Sequence, residues 1–142
     1  MKLLKIRSLD KGWHDRDHVL LHGAFQILTD FIECEHPDRI IDWNHDKSHK
    51  RVWEEIRSLY KWWKKTRPSR KSPLDNKKLS MPPLKFKHMH ASNLSERIEP
   101  DAKKYSKYFK ALKQDRVLEK KWLEEDQRNL GRLIEIRPFL WT

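Results

Sequence analysis

Six apolar side chains frame what this chain can become. Leu21, Ala24, Phe25, Leu28, Phe31 and Ile32 recur at i, i+3, i+4, i+7, i+10 and i+11, which is one face of an α-helix. A strand would turn alternate residues to opposite faces, so this spacing cannot serve one. It predicts a first helix over 15–36. His14 or Asp15 stands at the N-cap, and Asp15 and Asp17 suit the positive end of the helix dipole. Pro37 stops the helix. Residues 1–14 form a leader.

The same period returns twice. A second helix is predicted over 48–66, with Ser48 as N-cap. Val52, Ile56, Leu59, Tyr60 and Trp63 make its apolar face, with Trp53 beside them. Lys50, Arg51, Arg57, Lys61, Lys64 and Lys65 occupy the other side. A third helix is predicted over 100–137, opening at Pro100, a good first helical residue. Tyr105, Tyr108, Phe109 and Leu112 mark one face, and the pattern resumes at Trp122, Leu123, Leu130 and Leu133. Residues 113–121 are mostly charged, so this is either one helix or two split near 114–116.

Between helices, 67–95 reads as an irregular basic Pro/Lys-rich loop with no core of its own. Residues 138–142 form an apolar tail that would dock on the core or on a second subunit. The expected architecture is all-α: a single domain, 1–142, built as a three- or four-helix bundle. The aromatic excess and the apolar tail also predict a homo-oligomer.

Composition removes several function classes. Three glycines exclude Gly-rich phosphate loops and dinucleotide fingerprints. A single cysteine, Cys34, excludes an intramolecular disulfide framework and a Cys-rich zinc site. No apolar run approaches the roughly 20 residues that span a bilayer, so no membrane partner is expected. The opening residues are too short for a signal peptide, and the lone cysteine fits a reduced, cytosolic setting. No nucleophile elbow, P-loop or His-Glu-x-x-His is present. No catalytic residue and no cofactor is implied.

The net charge is +11, and it is unevenly spread. Residues 1–46 carry 6 basic and 9 acidic groups, residues 47–87 carry 14 and 3, and residues 88–142 carry 12 and 9. A concentrated positive field implies an anionic partner: a nucleotide, a nucleic acid or an acidic protein.

Two constellations stand out. His14, His18 and His22 lie at i, i+4 and i+8, with Asp17 among them. Histidines one turn apart can share a metal. The plainer reading puts them at the edge of the core, bonded to Asp or backbone groups. The second constellation interleaves aromatic and basic residues around Trp62, where bases could stack while cations neutralise phosphates. Adjacent helical residues point about 100° apart, so with Trp63 in the core Trp62 is expected outside. The expected ligand-binding residues are Arg57, Lys61, Trp62, Lys64, Lys65 and Arg67 in one patch. Arg16, His18 and His22 would add a second wall from the first helix. Arg70 and Lys71 would extend the patch.

Three blocks also carry a resemblance: Trp13-His14-Asp15-Arg16-Asp17-His18, Leu59-Tyr60-Lys61-Trp62-Trp63, and the ending Leu140-Trp141-Thr142. Together they resemble a group of small tailed-bacteriophage proteins. The resemblance implies phage origin and the cytoplasm of an infected bacterium; it carries over no activity and no catalytic residue. The expected function is non-enzymatic binding of an anionic ligand, a nucleotide-type molecule or nucleic acid, with sequestration of a host signal as counter-defence. One alternative is a protein-interaction module that inhibits an acidic host protein. Another is a metal-dependent hydrolase built on His14, His18 and His22.

Overall fold

A left-handed residue and a proline decide where the first helix stops. In the computed structural model, which describes residues 4–90 and 93–141, α1 spans Arg16–Glu35 with Asp15 at its N-cap. His36 ends it in the left-handed region, at φ 50°. Pro37 has no N–H with which to continue, and it opens α2, a single turn at Pro37–Ile40. The next helix, α3, spans Lys47–Lys61. Its N-cap is Asp46 and not the expected Ser48, which already lies inside the first turn. The Asp46 carboxylate accepts the His49 N–H at 2.8 Å, satisfying a donor that the helix itself cannot.

The helical path then widens. Trp62–Thr66 is a π-helical turn, closed by Arg67 donating its backbone N–H to the Trp62 carbonyl. A 3-10 turn at Arg67–Ser69 follows. At the start of this turn Trp62 and Trp63 are both buried, each 7% exposed. The expectation of an exposed Trp62 is therefore corrected: the buried side is wide enough to take in adjacent residues, as α1 does with Leu21 and His22, and Arg70 lies over the Trp62 ring. The Phe25 ring stacks on Trp63 with centroids 4.6 Å apart, and the Trp62 ring lies 5.2 Å from Phe25.

The last helix, α4, runs unbroken over Ser106–Ile136. It begins six residues after Pro100 and is not split at 114–116. The charged stretch within it is a solvated side of a continuous helix, because Ala111 and Asp115 on another side are buried.

The chain forms two compact units, Met1–Arg70 with Leu123–Thr142, and Lys71–Trp122, where one core with an appended loop was expected. In the first unit, Phe25, Leu28, Ile56 and Leu59 are fully buried, and Leu133 and Ile136 of α4 join the same core. Two ionic links tie α4 to the rest of this unit. Arg132 donates to both carboxylate oxygens of Glu55, and Asp126 accepts from Arg67 and Arg70. Phe139 and Leu140 of the apolar tail pack against the core, while Trp141 is exposed.

The second unit corrects the all-α expectation and the irregular 67–95 loop. The protein is mostly helical but carries a small antiparallel sheet, β1 (Lys85–His88) paired with β2 (Ser95–Ile98). Met89 donates to Leu94 and closes the hairpin. Both strands are exposed throughout. With no buried face, their sequences lack the apolar alternation by which strands are read. Upstream, Ser72 caps a 3-10 turn at Pro73–Asp75 and donates its hydroxyl to the Asp115 carboxylate of α4. Among the described residues, no helix is long and apolar enough to cross a membrane.

Because Phe25 touches both tryptophans at full burial, Phe25→Ala should lower stability by ~3–5 kcal/mol. Ile27→Ala, on the exposed side of α1, should stay within ~0.5 kcal/mol. Urea unfolding of both variants checks the contrast; equal midpoints would refute this account of the core.

Candidate anion-binding site

An amphipathic helix that buries one side must present the other. With Val52, Ile56 and Leu59 buried, α3 turns Arg57 and Lys61 outward, and the π turn adds Lys64 and Lys65. These four cations line one groove of about 680 Å³. Trp53 and Tyr60 supply aromatic surface to it, with Ile32 and His36 from the end of α1. Asp38 and Glu54 also line it, so four cations face two carboxylates, a net lining charge of +2.

The ring positions are held from behind. Trp53 stacks on Trp43 at 4.9 Å and 15°. Trp43 in turn donates its indole N–H to the Pro37 carbonyl at 3.1 Å. Tyr60 donates its hydroxyl to Glu33 at 2.7 Å, and Lys64 pairs with the same carboxylate at 2.9 Å. The Lys64 and Tyr60 hydrogen bonds hold the Glu33 carboxyl below its ordinary range. The same bond to Glu33 raises the Tyr60 phenol. Lys64 is therefore neutralised in place. Arg57, Lys61 and Lys65 have no carboxylate partner among the described residues.

The other expected members go elsewhere. Arg67 and Arg70 turn to α4: the Arg67 guanidinium lies 5.0 Å over the Trp63 ring and that of Arg70 5.7 Å over Trp62. Both meet Asp126, at 3.1 and 2.7 Å. Cation–π contact and ion pairing together cover the tryptophans. Arg16 and His18 are exposed at the start of α1 and do not line the groove. The wall expected from that helix is therefore formed by its other end, at Ile32 and His36.

The three histidines stack along α1. His14 and His18 have centroids 6.2 Å apart, and His18 and His22 4.5 Å. His14 is held by the Asp10 carboxylate at 2.9 Å. His22 is buried beside Trp63, with Nδ1 2.8 Å from the Ser8 hydroxyl. Asp17 is exposed. Among the described residues, no group of three or more His, Cys, Asp or Glu side chains is arranged to hold a metal.

His22 also faces a second, smaller cavity of about 460 Å³, shared with Arg7, Gln26, Lys64 and Arg67. There Arg7 pairs with Asp30 at 2.6 Å and Arg67 with Asp126, so its cations are already matched.

Sequence reasoning missed the partners that sort these cations. Glu33, Glu125 and Asp126 decide which basic groups are neutralised, and each acts across a long separation along the chain. Trp53 and Tyr60 were assigned to the helix's apolar side, and their partial exposure was not legible there. Comparison with protein-family models, with curated proteins and with solved structures returned no match.

Burial, reinforced by Arg67 and His18, lowers the His22 pKa from 6.5 to about 4. The unfolded chain then binds the extra proton first, so stability should fall as pH drops from about 6.5 towards 4. The loss is on the order of 3 kcal/mol at most. Chemical denaturation between pH 7 and 5, with the parent chain and a His22 variant side by side, isolates the effect. His22→Asn should flatten the slope there; an unchanged slope would show that another group causes it.

Proposed function

We propose that the groove between the end of α1 and the basic side of α3 binds a nucleotide-type anion and holds it without transforming it. One observation carries this reading. Arg57, Lys61 and Lys65, unmatched by carboxylates among the described residues, share a groove with the rings of Trp53 and Tyr60. Phosphate oxygens suit the cations, and a nucleobase suits an aromatic wall held by stacking from behind. Asp38 and Glu54 would accept hydrogen bonds from hydroxyl or amino groups of the same ligand. A volume of about 680 Å³ favours a small molecule over a polymer.

The burial of Trp62 moves the aromatic role to Trp53 and Tyr60. It also removes the exposed stacking ring that the polymer reading of this site required. Joined to the resemblance to small phage proteins, the reading becomes sequestration of a host nucleotide signal in the bacterial cytoplasm.

Calorimetry against nucleoside mono-, di- and triphosphates and cyclic dinucleotides tests it. At least one class should bind with a shallow salt dependence, since one small ligand engages few cations. Arg57→Ala and Lys61→Ala should each weaken binding ~10-fold, the ~1.4 kcal/mol of one charge-assisted contact. Arg16→Ala should leave binding unchanged. No binding by any member of the panel would overturn the proposal.

A further inference from the structure

The two units divide the charge very unequally. Lys71–Trp122 holds 14 lysines and arginines against 6 aspartates and glutamates, a net +8 of the +11 carried by the whole chain. In the other unit the carboxylates largely answer the cations, through pairs such as Arg67–Asp126, Arg70–Glu125 and Arg132–Glu55. Among the described residues of Lys71–Trp122, no lysine or arginine side chain pairs with a carboxylate of that unit.

The excess is ordered on α4. At 100° per residue, Lys107, Lys110, Lys113, Lys120 and Lys121 fall within about 140° of the helix circumference. All five are exposed. The stripe they form is about 21 Å long, from the rise of 1.5 Å per residue. The helix has two carboxylates within this unit, and neither joins the stripe. Asp115 is buried and accepts the Ser72 hydroxyl, and Glu119 lies on the opposite side.

The stripe also has a recess. Lys110 and Lys113 flank a cavity of about 620 Å³ whose floor is Pro73, Val117 and Leu118, with Gln114 at its edge. The wall is fixed from the chain: Ser72, bonded to Asp115, caps the turn that begins at Pro73. Val117 remains 52% exposed there. An apolar floor between two lysines would be poorly used by a simple polyanion such as an acidic peptide, whose side chains offer only charge. It suits a polymer that alternates phosphates with flat apolar rings.

We infer that Lys71–Trp122 is a binding surface for single-stranded nucleic acid, with phosphates along the α4 lysine stripe and an unpaired base in the Pro73–Val117–Leu118 recess. Gln114 supplies an amide that can both donate to and accept from the base edge. A duplex keeps its bases stacked and leaves the recess empty. The inference is independent of the nucleotide groove, because it uses other residues and a ligand of another size.

Fluorescence anisotropy of the full chain with a labelled 12-nucleotide single strand, RNA or DNA, tests it. Binding should weaken with salt at a log–log slope near −3, from about −0.7 per neutralised phosphate and four to five lysines. Lys110→Gln/Lys113→Gln/Lys121→Gln keeps exposed, helix-compatible side chains. It should weaken binding at least ~10-fold and reduce the slope by about 2. Val117→Ser, which adds no charge to the stripe, should weaken the single strand while leaving the matching duplex little changed. Arg57→Ala/Lys61→Ala should leave single-strand binding intact, which separates this inference from the fate of the nucleotide groove. Equal binding of single strand and duplex, displacement by polyglutamate at equal charge concentration, or an unaffected triple-Gln variant would each overturn it.

Discussion

The first unit depends on how two adjacent tryptophans are buried at once. Trp62 and Trp63 stand where α3 passes into the π turn at Trp62–Thr66, and neighbours 100° apart share a buried side only if that side is wide. Phe25, on α1, packs against both rings. Burying two indoles leaves their outer faces to be covered, and Arg67 and Arg70 do so as planar cations over aromatic rings. Those cations then require an anion, which Asp126 of α4 provides to both. The packing of one aromatic pair thus dictates which acidic residue α4 must present and fixes the contact of that helix with the same core.

This chain of necessity also sorts the basic residues by use. Arg67 and Arg70 follow the tryptophans inward and are neutralised. Lys64 is neutralised by Glu33, which the Tyr60 hydroxyl helps to hold. Arg57, Lys61 and Lys65 are left on the side of the helix that the core does not use. Their availability follows from burial elsewhere: the Trp pair takes the nearby arginines, and what remains lines the groove with Trp53 and Tyr60. The groove is open and positive because the packing beside it is closed and paired.

Much of this was legible from periodicity, and the rest was not for specific reasons. The face Leu21–Phe25–Leu28 announced α1, and Val52–Ile56–Leu59 announced α3, because each buries residues at local, repeating spacing. Four groove cations, Arg57, Lys61, Lys64 and Lys65, could be named from the unburied side of the same helix. Trp62 was misplaced because periodicity marks the centre of a buried side and not its width, and here that side takes in two neighbours. Arg67 and Arg70 were placed in the binding patch because their partners, Asp126 and Glu125, lie more than 50 residues away. The strands β1 and β2 escaped because a sheet with no buried face leaves no alternating apolar pattern.

The charge that first drew attention to residues 47–87 also changes meaning once pairing is known. Net charge along a sequence counts cations without asking which are matched, yet a paired cation is largely cancelled at a distance by its partner, so the unmatched ones dominate the field that a ligand meets. Through the π turn and its sequel, arginines and lysines are largely matched by acids from α1 and α4. Along the first half of α4 they are not, and the basic residues Lys107, Lys110, Lys113, Arg116 and Lys120 recur every three or four residues. A matched and shaped site rewards a ligand that fits it. An unmatched, repeating one rewards a ligand that repeats as well. The same excess of lysine and arginine is therefore organised in two ways: a groove whose few free cations sit beside fixed aromatic rings, and a helical stripe whose free cations recur along its length.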